Sequence, residues 1–272
     1  MSYATLMVYL NADHVSKQLI GVAVGLADKF SARLIGVSAL GIMPPVAAEG
    51  VVIVDNASEF DIAQMKAKLA DAENRFRTAA GARLQIEWRA AIELPTDTLI
   101  RESRCADLIL LERSRPSEDM YRVANAGAAI LRAGRPILVV PAAVKSLQAE
   151  HVVIGWKDTR EARRAVADAL PFLHEAKRVT VIEICERDQM QAARLRLDDV
   201  VHYLACHRIK AEGRTETQML SSAAQIIEFA QNENADLLVT GAYGHSRLNE
   251  WIFGGMTRDL MTSSPICWLM SH

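Results

Sequence analysis

The sequence predicts an α/β protein made of two tandem domains, each a doubly wound parallel sheet. Three observations lead there: β-rich apolar runs alternate with helical stretches along the whole chain, the second half repeats the first, and Gly and Pro punctuate the junctions. Several strand runs are continuously apolar rather than alternating, as expected where helices cover both faces of a sheet.

In the first half the β-rich runs are TLMVYL from Thr5, RLIGVSAL from Arg33, LQIEWRAA ending at Ala91, DLILL from Asp107 and PILVV from Pro136. Helical stretches lie between them at Val15–Phe30, Glu59–Ala80, Thr96–Cys105 and Tyr121–Arg132. Leu40–Glu59 is irregular: GIMPPVAAEGVVIVDN contains Pro44-Pro45 and is no single helix. A surface loop is the simpler reading, a flap over a ligand the functional one. In the second half the strand runs are HVVIGW from His151, RVTVIEIC, IKAEGRTE, DLLVTG ending at Gly241, and PICWLM. Helices fit Arg160–His174, Gln189–His207, Met219–Asn234 and Met256–Thr262. The polar break Ala142–Ala149 after Pro141 divides the chain into domains 1–142 and 150–272.

Composition narrows the function. The 272 residues, half of them hydrophobic and 24% charged, suit a globular protein of one large or two smaller domains. A net charge of -2 offers no electrostatic reason for nucleic acid or an anionic membrane as partner. No apolar run approaches the roughly 20 residues that span a bilayer. The opening MSYATLMVYLNADH reads as a first strand and not a signal peptide, so a cytoplasmic location is expected. Cys105, Cys185, Cys206 and Cys267 are scattered without a C-x-x-C pair, and reduced, buried thiols are expected of them.

The repeat is visible without gaps. ADLILLERSRPSEDMYRVANAGAAILRAGRPILVVP from Ala106 aligns with ADLLVTGAYGHSRLNEWIFGGMTRDLMTSSPICWLM from Ala235, so that Ala-Asp-Leu meets Ala-Asp-Leu and Pro136-Ile137 meets Pro265-Ile266. The second copy carries the glycines: Gly241-x2-Gly244-x9-Gly254-Gly255-Met256-Thr257. No Gly-Lys-Ser/Thr occurs there, so it is no Walker A loop, and its spacing is not G-x-G-x-x-G. Gly241 ends a strand, at the edge where open α/β sheets bind ligands. Gly244 lets backbone N–H groups approach an anion, and Gly254 and Gly255 lead into a helix whose N-terminus favours phosphate. Thr257 adds a hydroxyl in that first turn, and His245 and Ser246 lie within reach of a phosphate. Packing glycines at a turn are the competing structural reading.

Gly-x2-Gly-x9-Gly followed by a small polar residue resembles the ATP-binding signature of universal stress proteins, and the strand–helix order resembles that family twice over. The resemblance implies two flavodoxin-like, adenine nucleotide alpha hydrolase-like domains of five strands, packed as an internal pseudo-dimer through final strands such as PILVV and PICWLM. It also implies an adenine nucleotide, ATP or a relative, in the C-terminal domain, held by Lys157, Asp158, Thr159, Gly241, Gly244, His245, Gly254, Gly255, Met256 and Thr257. Three departures stand out. Gly255 occupies the place of the small hydroxyl residue, and Lys157 that of the family's first-strand Asp. In the first half Glu112, Arg115 and Asn125 replace Gly241, Gly244 and Gly254, and Asn11 stands at the first-strand Asp. A carboxylate where phosphate oxygens would sit is repulsive, so no nucleotide is expected there.

Nothing in the sequence marks a nucleophile or general base, and without a P-loop lysine any ATPase activity should be slow. His202 and Cys206, four apart on a helix, lack a third ligand, so no metal is expected. The expected role is a stress-response regulatory binding module with an adenine nucleotide and protein partners, a further homodimer remaining open. A scaffold without nucleotide, or an enzyme using the same cleft for another ligand, are the alternatives.

Overall fold

The computed structural model describes residues 2–43, 47–48, 51–52, 59–81, 85–113, 119–242 and 264–272. The first half runs β1 (Thr5–Tyr9), α1 (Lys17–Phe30), β2 (Arg33–Ala39), β3 (Ala47–Ala48), β4 (Val51–Val52), α2 (Glu59–Ala80), β5 (Ile86–Ala91), α3 (Pro95–Glu102), β6 (Leu108–Glu112), α4 (Ala126–Arg132) and β7 (Ile137–Val140). The second runs β8 (His151–Gly155), α5 (Arg160–Glu175), β9 (Arg178–Cys185), α6 (Met190–Cys206), β10 (Ala211–Thr217), α7 (Ser222–Asn232), β11 (Leu237–Gly241) and β12 (Cys267–Ser271). Every strand expected from the sequence forms. The helix expected at Met256–Thr262 lies outside the described residues. Within the irregular Leu40–Glu59 stretch, β3 and β4 pair as a small antiparallel ladder.

Each half lays its strands in the order third, second, first, fourth, fifth, giving one sheet β10-β9-β8-β11-β12-β7-β6-β1-β2-β5. All neighbours are parallel except β7 and β12, which meet antiparallel, Leu138 opposite Leu269 and Val139 opposite Trp268. The final strands therefore join the halves, as the internal pseudo-dimer requires. One apolar cluster runs under both halves, built by α1, α2, α5 and α6 against Leu6, Val8, Leu110, Leu138, Val239 and Leu269. The second covers the opposite face with α3, α4 and α7 against Ile109, Val139, Leu238 and Trp268. Strand alternation divides the residues between these faces. A ring cluster closes the first face at the seam: Tyr3, Phe30 and Phe172 lie edge-on with centroids 5.1, 5.5 and 5.2 Å apart. The Tyr3 hydroxyl donates across it to the Asp168 carbonyl at 2.6 Å.

The repeated Ala-Asp-Leu has a structural reason. Asp107 accepts from the backbone N–H groups of Ala4 and Thr5 at 2.8 and 2.9 Å, starting β1. Asp236 accepts from those of Glu150 and His151 at 3.1 and 3.0 Å, starting β8. Each carboxylate thus ties the first strand of its half to the fourth. Asp236→Ala leaves two strand-end donors without that acceptor and is expected to cost about 1–3 kcal/mol. Asp107→Ala should cost a similar amount, read as the loss of unfolding free energy in urea.

The ungapped alignment holds through these strands and then slips. Ile109 pairs with Ile137, whereas its counterpart Leu238 pairs with Trp268 and not with Ile266. The second half thus carries two more residues between its fourth and fifth strands than the alignment allows. The stretch Tyr121–Arg132 is helical only from Ala126, because Asn125 caps it: its side chain accepts from the Ala128 N–H at 2.9 Å. Asn125, aligned with a glycine of the other half, is a helix cap. α7 likewise starts after Ser221, not at Met219.

Candidate functional site

In an open α/β sheet a crevice forms where chain direction reverses, outside the carboxyl ends of the two strands that flank the reversal. Here that place lies between β8 and β11 in the second half, and between β1 and β6 in the first.

In the second half, β8 ends at Gly155 and the short link Trp156–Asp158 leads to Thr159, the cap of α5. Lys157 and Asp158 are exposed, and Asp158 accepts from Arg163 at 2.5 Å. The Thr159 hydroxyl accepts from the Ala162 N–H at 3.3 Å, so its lone pair serves the helix. Gly241 ends β11 directly beneath that first turn. A Cβ there would lie 2.5 Å from the Ala162 nitrogen and 2.8 Å from the Glu161 Cβ. Lys157, Asp158, Thr159 and Gly241 thus share one carboxyl edge, and what approaches Gly241 is the chain itself. Gly244, His245, Gly254, Gly255, Met256 and Thr257 lie outside the described residues.

Sequence reasoning missed a buried carboxylate at this edge. Glu161, only 2% exposed, sits on Gly241 and accepts from the Arg160 Nε at 2.5 Å. Burial pushes its carboxyl upward, but hydrogen bonds from Arg160, its own backbone N–H and Thr159 outweigh that and hold it below the usual range. Its other oxygen has no hydrogen-bond partner among the described residues, and neither have the Trp156 indole N–H and the Ser271 hydroxyl. Ser271 is the register partner of Gly241. Beside them His272 bridges Ala242 and Arg160, at 3.1 and 3.3 Å. Since Arg only donates, the His272 Nε2 accepts and its Nδ1 carries the proton to the Ala242 carbonyl. The signal for Glu161 was present as an acidic residue just past a Thr cap, but nothing local showed that Gly241 would lie under it.

The first half builds the same edge differently. Asn11 and Glu112 stand at the places of Lys157 and Gly241: both follow strands of matching register. Asn11 accepts from the Asp13 N–H at 2.9 Å in a local turn. The link to the α1 cap, Ser16, is longer than that to Thr159. α1 lies mainly over β1 and touches β2 and β6 equally, whereas α5 lies along β11 and β12. A cleft of about 180 Å³ opens here, with Tyr9, Asn11, His14, Glu112 and Arg113 among its walls. Arg113 reaches across the seam, donating from Nη1 to the Ser264 carbonyl at 2.6 Å.

The remaining candidates fall away from this edge. Among the described residues no group of three or more His, Cys, Asp or Glu is placed to hold a metal ion. His202 and Cys206 are exposed on α6, and the His207 ring stacks on Tyr203 with centroids 4.6 Å apart. All four cysteines are free, but only Cys185 and Cys267 are buried; Cys206 is exposed and Cys105 half-buried, because they sit on helix ends instead of strands. Burial pushes the Cys267 thiol up to about 12. No helix of the described residues is long and apolar enough to cross a membrane.

Residues 150–270 match the model of the universal stress protein family. Comparison with curated proteins gave no match. Among solved structures, a universal stress protein from Archaeoglobus fulgidus DSM 4304 is similar over 98% of this chain and 95% of its own, at 14% identity and a TM-score of 0.74. A functionally unknown protein from Pseudomonas aeruginosa PAO1 is similar over 99% of this chain and 92% of its own, at 14% identity and a TM-score of 0.59. A universal stress protein in complex with cAMP matches 53% of this chain and all of its own length, at 20% identity and a TM-score of 0.36. The two halves share one sheet and one strand order, the fold of the similar structures, and residues 150–270 are the part that matches the universal stress protein family.

Proposed function

We propose that this chain is a stress-response regulatory module that binds ATP or a related adenine nucleotide in domain 150–272, with domain 1–142 as its structural partner. The observation that carries the reading is the switch point of strand order between β8 and β11, where Lys157, Asp158, Thr159 and Gly241 share the carboxyl edge at which such sheets take ligands. The exposed Lys157 supplies a cation for phosphate oxygens. The module works through nucleotide-dependent shape or partners, since no described group at this edge is placed as a general base, and hydrolysis is at most slow.

A second reading is favoured by one observation. Gly241 is already required by the first turn of α5, and Glu161 places a carboxylate on it. Both suit a scaffold that holds no nucleotide. Denaturing freshly purified protein, assaying the supernatant for nucleotide and titrating the apo chain with ATP by calorimetry separates the two. Released adenine nucleotide or saturable heat is expected. Neither release nor heat at millimolar ATP removes the nucleotide reading and leaves the scaffold.

A further inference from the structure

We propose that the cleft of the first half binds a small zwitterion of the α-amino acid class, its ammonium group against Glu112 and its carboxylate against Arg113. The cleft lies at the carboxyl edge between β1 and β6, so the fold itself opens it, but its chemistry departs from that of its twin. Where the second half has Gly241 and Ala242, the first has a carboxylate followed by a guanidinium. Both line the cleft.

Their orientation follows from the strand. Leu110 packs in the cluster on the α1 side of the sheet and Leu111 in the cluster on the opposite side. Alternation then brings Glu112 to the α1 wall and Arg113 to the other. Successive side chains on opposite walls do not pair with each other, and neither forms an ion pair with any described residue. Arg113 spends one nitrogen on the Ser264 carbonyl, which holds the guanidinium in place and leaves its remaining N–H groups for a ligand. A half-buried charge gains most from a partner of opposite sign delivered with hydrogen bonds. One molecule carrying both charges a few bonds apart satisfies both walls.

The balance of the lining selects the class. Glu112 and Arg113 cancel, and Leu19, Leu111 and Val123 supply apolar wall for a side chain. A nucleoside triphosphate would bring several negative charges against Glu112 with only Arg113 to answer them. A simple amine or a simple carboxylate would leave one wall charge unanswered.

Saturation-transfer NMR on the full chain with an equimolar mixture of the standard L-amino acids tests this. Transfer to one or more of them is expected, absent for the corresponding decarboxylated amine. Glu112→Gln and Arg113→Gln should each weaken binding about tenfold or more, the value of one charge-assisted hydrogen bond. Circular dichroism unchanged in both variants, with a urea transition unchanged in Glu112→Gln, places that loss in the cleft, since Arg113→Gln also gives up the bond to Ser264. Absence of transfer for every amino acid, equal transfer to the amine, or undiminished transfer in Glu112→Gln overturns the proposal. So does ATP displacing the amino acid in a chain whose second-half site has been abolished by Gly244→Val. Because the readout is an amino acid at Glu112, failure here and failure of the nucleotide reading at residues 150–272 are separate results.

Discussion

Gly241→Ala is expected to lower the unfolding free energy of the nucleotide-free chain by about 1–3 kcal/mol, and Gly241→Val by more. The new Cβ would fall 2.5 Å from the Ala162 nitrogen and 2.6 Å from the Glu161 carbonyl carbon, both backbone atoms of a helix turn. No side-chain rotation relieves such a contact, so α5 must move off β11 or the strand end must bend. Backbone strain is not the cause, since Gly241 is not among the residues with positive φ. Space alone demands glycine here. Moving α5 also lifts Glu161, whose carboxylate is buried and held by Arg160 and the helix N-terminus. The measurement is the urea midpoint of apo protein, with the slope checked for two-state behaviour. If Gly241→Ala keeps wild-type stability but loses ATP binding, the glycine serves the ligand and the packing account fails.

That result bears on how much of the site was legible. Strand runs such as HVVIGW and DLLVTG are visible because a sheet covered on both faces writes itself as uninterrupted apolar residues. The twin Ala-Asp-Leu was visible as a repeat, and its meaning, two strand-starting carboxylates, follows from position alone. Gly241 was visible as a glycine at a strand end. Which backbone comes close to it depends on the length of the link between β8 and α5, a property of the folded half and of no local motif. For the same reason Glu161 reads in sequence as an ordinary first-turn acid, although the fold buries it. The link between Leu10 and Ser16 shows the converse: a few more residues separate β1 from α1, and Glu112 lines an open cleft that α1 helps to wall. The slip of register between the fourth and fifth strands was hidden because Pro-Ile recurs at the same aligned place in both copies, and only pairing reveals it.

Trp268→Ala is expected to destabilise the whole chain, not only its second half, by about 3–5 kcal/mol. Trp268 is 2% exposed, and its indole N–H donates to the Thr240 hydroxyl at 2.8 Å. On its other side it faces Val139 of the first half across the antiparallel seam. Truncation therefore leaves a cavity at the one place where the two sheets become one, and leaves the buried Thr240 hydroxyl without its donor. Trp268→Phe keeps most of the volume and removes only the hydrogen bond, so it should cost about 0.5–1.5 kcal/mol. The apolar cluster on the opposite face also runs through both halves, and Phe172 of α5 packs on Tyr3 and Phe30 of the first half. With both faces continuous, the halves should unfold in one step. Circular dichroism and the fluorescence of Trp88, which lies in β5 of the first half far from the substitution and is read in a chain whose Trp156 and Trp251 are replaced by Phe, should then shift to the same lower urea midpoint. A Trp88 transition that stays at the wild-type midpoint while the second half melts early would mean that the seam joins two independently stable domains.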